Sequence, residues 1–170
     1  MAVIKSVRGF EPKFGKNCFF AENSVVVGDV IMGDNCSIWF SAVLRGDVNS
    51  IRIGNNVNIQ DNATLHTLYQ KSTIEIGDNV SVGHNAVIHG AKISNNVLIG
   101  IGAIVLDDVE IGENTIIAAG AMVKSGTKVE ANSIYAGVPA KKVKDIEPEQ
   151  TKEMINKIAD NYSMYASWYK

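Results

Sequence analysis

Large apolar residues recur at every sixth position along most of this chain. The column runs Phe14, Phe20, Val26, Met32, Ile38 and Leu44, slips by three residues, and resumes at Ile53, Ile59 and Leu65. After a loop it continues at Ile76, Val82 and Ile88. A one-residue deletion resets it to Ile93, Ile99, Val105, Ile111, Ile117, Val123 and Val129, and Tyr135 closes it. Four residues after each member stands a smaller side chain, such as Cys18, Cys36, Ala42, Val48, Ala63, Ala86 or Ala103. Three residues after most members stands Asn, Asp or Gly, among them Asn17, Asp47, Asn62, Asn85, Gly102 and Asn132. These residue types tolerate a left-handed backbone at a corner. Each unit therefore reads as a short strand with one large and one small inward residue, ended by a sharp bend.

Six-residue repeats of this kind build a parallel β-helix. Three units make one triangular coil, and coils stack at ~4.8 Å through parallel hydrogen bonds. Such a solenoid buries its core only by stacking neighbours. The repeat resembles the left-handed parallel β-helix superfamily over about residues 10–140. The left hand is implied by that resemblance, since the usual crossover rule favours the right. The fold expected is thus mainly β: a β-helix domain over 1–140 and a C-terminal segment over 141–170. Within that segment Pro148 suits a helix start. Met154, Ile155, Ile158, Ala159, Tyr162, Tyr165, Ala166 and Tyr169 follow at helical spacing, which predicts an amphipathic helix packed along the prism or a neighbour.

Composition narrows the function. The chain has 170 residues and a net charge of −2, with no Lys/Arg cluster, which argues against nucleic acid as a partner. Its start has no apolar core of a signal peptide, and no apolar run approaches the ~20 residues of a membrane span. A cytoplasmic protein is the expectation. Cys18 and Cys36 fall in the small inward column one coil apart and read as packed thiols. Trp39 and Phe40, just after Ile38, are expected to face outward as a packing or partner surface.

The only histidines are His66, His84 and His89, all within one stretch of the ladder. Naming the faces A, B and C from Phe14 onward places Leu44, Leu65 and Ile88 together on face C. This requires residues 66–75 to hold one protruding loop. His66 and His89 each follow a ladder residue by one, so they share an outward column, with Arg45 one coil below. Ligand nitrogens around a tetrahedral Zn lie about 3.4 Å apart, within reach of rings on adjacent coils. His84 follows Val82 by two, on face B near a corner, above Asp61 in the same slot after Ile59. That corner does not converge with the face C column on one prism. Two prisms packed about a three-fold axis would bring them together. The residues thus predict a homotrimer with a metal held by His66 and His89 of one subunit and His84 of the next.

The segments Leu44-Arg45-Gly46-Asp47, Asn58-Ile59-Gln60-Asp61, Leu65-His66 and His84-Asn85-Ala86-Val87-Ile88-His89-Gly90 resemble the γ-class carbonic anhydrases and their relatives. The resemblance implies a trimer with an inter-subunit metal on three histidines, Zn²⁺ with Fe²⁺ or Co²⁺ as alternatives. It implies reversible hydration of CO₂ to bicarbonate by hydroxide formed on that metal. Three neutral ligands leave an open position and lower bound water's pKa to about 7. By the same resemblance Gln60 hydrogen-bonds the oxygen at the metal and Asn58 lines the site. Arg45 and Asp47 bind bicarbonate or join subunits, and Tyr135 is an aromatic near the site. Asp61 would orient an imidazole through its second nitrogen, Asp47 doubles as a corner residue, and Tyr135 doubles as a core cap.

The match has a gap. The best-characterised branch carries a glutamate after Arg-Gly-Asp and a long acidic loop after the first histidine, used for proton transfer. Here Val48 follows Asp47, and Glu75 is the single carboxylate in the short segment 67–75. The activity expected is therefore low, and the fuller resemblance is to the short-loop branch. Two other functions fit the same fold. A CoA-dependent acyltransferase or thioesterase is suggested by the resemblance of Tyr135-Ala136-Gly137-Val138-Pro139-Ala140-Lys141-Lys142 to the ladder end of hexapeptide acyltransferases. A metal-stabilised, non-catalytic trimeric scaffold is the third, because fold alone does not specify function.

Overall fold

A computed structural model describes residues 1–169 of the chain. It is a parallel β-helix whose coils place one strand on each of three faces. Face B has seven strands in parallel order: Phe19–Phe20, Ser37–Ile38, Asn58–Ile59, Ser81–Val82, Val97–Ile99, Thr115–Ile117 and Ser133–Ala136. Face C stacks Val3–Lys5 below the first half of Val25–Met32, then the first half of Val43–Ile53, then Thr64–His66, Val87–His89, Ile104–Val105 and Met122–Val123. Face A holds the second halves of the two long strands, then Ile74–Ile76, Lys92–Ile93, Glu110–Ile111 and Lys128–Val129. Val25–Met32 and Val43–Ile53 thus run round the C–A corner, joining two faces into one 12-stranded sheet.

The predicted ladder is the core. From Val26 to Tyr135 every ladder residue is buried in one continuous cluster, with Phe14 and Phe20 packed on its open end. The corner residues behave as their chemistry requires. Asn17, Asn35, Asn56, Asn62, Asn79, Asn85, Asn96, Asp108, Asn114 and Asn132 all have positive φ. Down the A–B edge the Asn56, Asn79, Asn96, Asn114 and Asn132 amides bond one to the next at 3.0–3.2 Å. Stacked side-chain amides reinforce the parallel register.

Two positions in the ladder differ from the sequence reading. Val48 does not take the small inward slot. Val30 pairs with Ile51, which is fully buried, while Val48 is half-buried on the bulged stretch. The three-residue slip is accommodated there as a bulge. Asp47 is not a left-handed corner residue: it lies inside the strand Val43–Ile53 and is absent from the positive-φ set. Its side chain is therefore free for work at the surface.

Past Ala136 the chain turns and runs Lys141–Asp145 antiparallel to Ser133–Ala136, a strand that six-residue counting could not reveal. It carries Lys141, Lys142 and Lys144 and covers the end of the face B sheet. Charged, fully exposed edge strands resist further strand pairing. The helix follows as Pro148–Ser167, opening on proline. It lies on face B of its own prism, with Ile155 fully buried. Met154, expected on the apolar side, is exposed, as is Tyr169 just beyond the helix end. Trp39, expected outward, is covered by this segment: its ring meets Tyr162 edge-on at 5.3 Å and Tyr169 at 5.8 Å. This helix is not long and apolar enough to cross a membrane.

Candidate metal centre

Strand register sets the histidine column. Arg45, His66 and His89 are direct neighbours on the adjacent strands Val43–Ile53, Thr64–His66 and Val87–His89. Because Leu44, Leu65 and Ile88 point into the core, the residues after them point outward. His66 Nδ1 and His89 Nε2 face each other at 3.3 Å. The rings meet edge-on, with centroids 5.2 Å apart.

Each imidazole has its other nitrogen against a carboxylate. His66 Nε2 lies 3.3 Å from Asp47 Oδ1, whose second oxygen takes the Arg45 guanidinium at 2.7 Å. His89 Nδ1 lies 2.9 Å from Asp107 Oδ2. The Ser72 hydroxyl donates to Asp107 Oδ1 at 2.6 Å and accepts from the Leu68 amide at 2.9 Å. Burial lowers the pKa of His66, and the Arg45 charge lowers it further, against the pull of Asp47. Burial would raise the Asp47 carboxyl, but the Arg45 hydrogen bond and charge outweigh it and hold Asp47 below the usual carboxylate range. The column therefore keeps a neutral imidazole beside an ionised aspartate, the states in which both support a cation.

The third histidine is prepared in the same way elsewhere. His84 Nδ1 lies 2.9 Å from Asp61 Oδ2, and its Nε2 lies 3.3 Å from the Tyr162 hydroxyl of the C-terminal helix. Gln60 and Asn58 stand beside it beneath that helix, and both are buried. Gln60 Nε2 donates to Asn58 Oδ1 at 3.0 Å, and Asn58 Nδ2 donates to Ser81 Oγ at 2.7 Å. This polar chain explains why polar residues on the outer side of face B tolerate burial. A cavity of about 440 Å³ opens here, with Gln60, His84 and Tyr162 at its polar end and Leu98, Ile101 and Ile158 in its apolar wall.

One chain thus holds two separate polar clusters. Arg45, Asp47, His66 and His89 come together at the C–A side, and Asn58, Gln60, Asp61 and His84 at the B–C side. Among the described residues, no group of three or more His, Cys, Asp or Glu side chains gathers to hold a metal in one chain. Tyr135 joins neither cluster. It fills the core at the last face B strand, and its hydroxyl is 3.5 Å from the Glu130 amide. Glu75 sits on face A with Lys92 Nζ 3.6 Å away.

Sequence reasoning missed Asp107 and Tyr162. Asp107 had a weaker signal than Asp61: it follows Val105 by two, one coil above and one position beyond the slot of His89, whereas Asp61 and His84 share one slot. Tyr162 had none, since only the packing of the helix decides what it meets.

The family model described as Bacterial transferase hexapeptide (six repeats) matches residues 11–46 and 90–125. The chain is similar to a carbonic anhydrase of Geobacillus kaustophilus, 40% identical across 99% of this chain and 91% of that protein. It is similar to gamma carbonic anhydrase 1, mitochondrial, of Arabidopsis thaliana, 38% identical across 91% of this chain and 58% of the plant protein. A crystal structure from Bacillus cereus, provisionally described as an acetyltransferase, superposes with TM-score 0.93. It is 37% identical and covers 99% of this chain and 96% of its own. The chain belongs to the γ-class carbonic anhydrase-like family of hexapeptide-repeat proteins.

Proposed function

We propose that this chain is a γ-carbonic anhydrase-like metalloenzyme that reversibly hydrates CO₂ to bicarbonate at sites shared between the subunits of a homotrimer. The 3.3 Å separation of His66 Nδ1 and His89 Nε2 carries the reading. It matches the about 3.4 Å between ligand nitrogens of a tetrahedral metal with bonds near 2.0–2.1 Å. The outer nitrogens of both rings rest on carboxylates, an arrangement that fixes the ligand's tautomer and raises its basicity. His84, with Asp61 behind it, completes the set from a neighbouring subunit.

A donor set of three imidazoles suits Zn²⁺ and admits Fe²⁺ or Co²⁺. Such a metal, with one position open, supplies the Lewis acidity that ionises water near neutral pH. The protein's own residues do the rest. Asp47, Asp61 and Asp107 orient the three rings. Gln60, tethered by Asn58, presents an amide beside His84. Arg45, half exposed and bonded to Asp47, offers a guanidinium to an anionic product or to the next subunit. Tyr135 is assigned to packing. With Glu75 held on face A, the segment after His66 brings no carboxylate relay to the column, so turnover depends on buffer and is low.

Complementation tests the shared site. His66→Ala and His84→Ala proteins are each expected to form trimers without hydratase activity. Co-assembled in equal amounts, the two variants should regain roughly a quarter of the sites, because one interface orientation in four joins an intact His66 to an intact His84. Activity retained by His84→Ala alone, or mixed trimers that regain none, defeats the mechanism. Metal-loaded wild-type trimers without hydration activity would favour the scaffold reading.

The Bacillus cereus neighbour favours one competing function, acyl transfer from coenzyme A. CoA-dependent protection against heat would support that reading. Stoichiometric metal with hydratase activity would displace it.

A further inference from the structure

His84 can offer a metal only one of its nitrogens. The Asp61 carboxylate accepts from Nδ1 at 2.9 Å, which places the ring's proton there and turns the lone pair of Nε2 outward. The Tyr162 hydroxyl stands on that lone pair at 3.3 Å. Since neutral Nε2 is the acceptor, the phenol is the donor. The phenol ring is held in place: it meets Trp39 edge-on at 5.3 Å and Tyr165 at 5.5 Å. Its helix is anchored on face B by the fully buried Ile155.

One lone pair cannot bind a phenol hydrogen and a metal at about 2.0–2.1 Å together. The cavity of about 440 Å³ that Tyr162 and His84 share gives the displaced hydroxyl somewhere to go. Resting on the reading of His84 as the third ligand, we propose that Tyr162 is a positioning residue. Its hydroxyl occupies His84 Nε2 until a metal displaces it. Metal occupancy is then linked to the setting of the C-terminal helix. The linkage is reciprocal: whatever holds the helix down weakens metal binding, and metal loosens the phenol from its seat.

The test uses trimeric protein with Trp168→Phe, which leaves Trp39 as the single tryptophan. Zn²⁺ affinity is measured by chelator competition, and Trp39 emission is followed during the titration. Tyr162→Phe keeps the ring but removes the hydroxyl, and an unchanged thermal midpoint without metal checks its fold. It is expected to bind Zn²⁺ about 2- to 10-fold more tightly, the range of one net hydrogen bond. In the Tyr162-containing protein Trp39 emission should shift with metal, and in Tyr162→Phe that shift should be lost. Tyr165→Phe, which removes a neighbouring hydroxyl without touching His84, should leave affinity unchanged.

Equal or weaker Zn²⁺ binding by Tyr162→Phe overturns the proposal, as does Trp39 emission blind to metal. Zn²⁺ binding unaffected by His84→Ala is a different failure, because it removes His84 as a ligand and the reading beneath.

Discussion

Asp107 and Ser72 are joined across a coil: the Ser72 hydroxyl lies 2.6 Å from one carboxylate oxygen, while the other oxygen lies 2.9 Å from His89 Nδ1. Burial would raise this carboxyl, yet the Ser72 and His89 hydrogen bonds hold it below the usual carboxylate range. An ionised Asp107 therefore stands behind His89, a proposed ligand. Asp107→Asn keeps the shape and loses the charge. Loss of such a partner lowers metal affinity by roughly 10- to 100-fold. Chelator competition measures it, and a loss under twofold would show that Asp107 is only a surface bond.

Gly90 permits that junction. Its φ is +62°, and a Cβ there would come within 2.2 Å of Ser72 Oγ and 2.3 Å of Asp107 Oδ1. Gly90→Ala must both strain the backbone and push Ser72 off the carboxylate. A stability loss of about 1–3 kcal/mol is expected for a side chain forced into that region. Metal affinity should fall with it. Unfolding curves alongside metal titration would separate the two, and an unaltered midpoint would contradict the steric reading.

Ile88 supports the column from inside. It is fully buried between Leu65 and Val105, and its neighbour His89 points the other way. Ile88→Ala should cost about 2–5 kcal/mol, as large-to-small core changes do. The same change made at Ile104, which is exposed on face C, should cost far less in a dissociated subunit. Denaturant unfolding at several protein concentrations distinguishes core loss from interface loss.

The two thiols should react differently with pH. The neighbouring Cys36 thiol lowers the Cys18 thiol to about 7, against the effect of burial. The same proximity and deeper burial push Cys36 upward. A lowered value means that thiolate is present above it and lost below it. Iodoacetamide should therefore label Cys18 with a rate that rises through pH 7 and levels off, leaving Cys36 unlabelled in the folded protein. A midpoint near the ordinary thiol value would refute the pairing.

Much of this was legible because a solenoid makes sequence position nearly equivalent to spatial position. Period six dictated which residues face the core, so Leu65 and Ile88 predicted that His66 and His89 would stack. Asp61 beneath His84 followed from the same counting. The counting failed where the chain left the period. Val48 falls in the bulge that lets Ile51 reach the core, and Asp47 is carried out of its corner by that bulge. Lys141–Asp145 is antiparallel, a pairing no six-residue column anticipates.

By itself the sequence determined the coil, its three faces and the column holding two histidines, because those depend on local spacing and inward–outward alternation. Tertiary structure alone decided the rest. The C-terminal helix has an apolar stripe that would suit any exposed face, and only packing seats it on face B, burying Trp39 and bringing Tyr162 to His84. Asp107 and Ser72 lie 35 residues apart, and only the stacking of coils closes that distance to 2.6 Å.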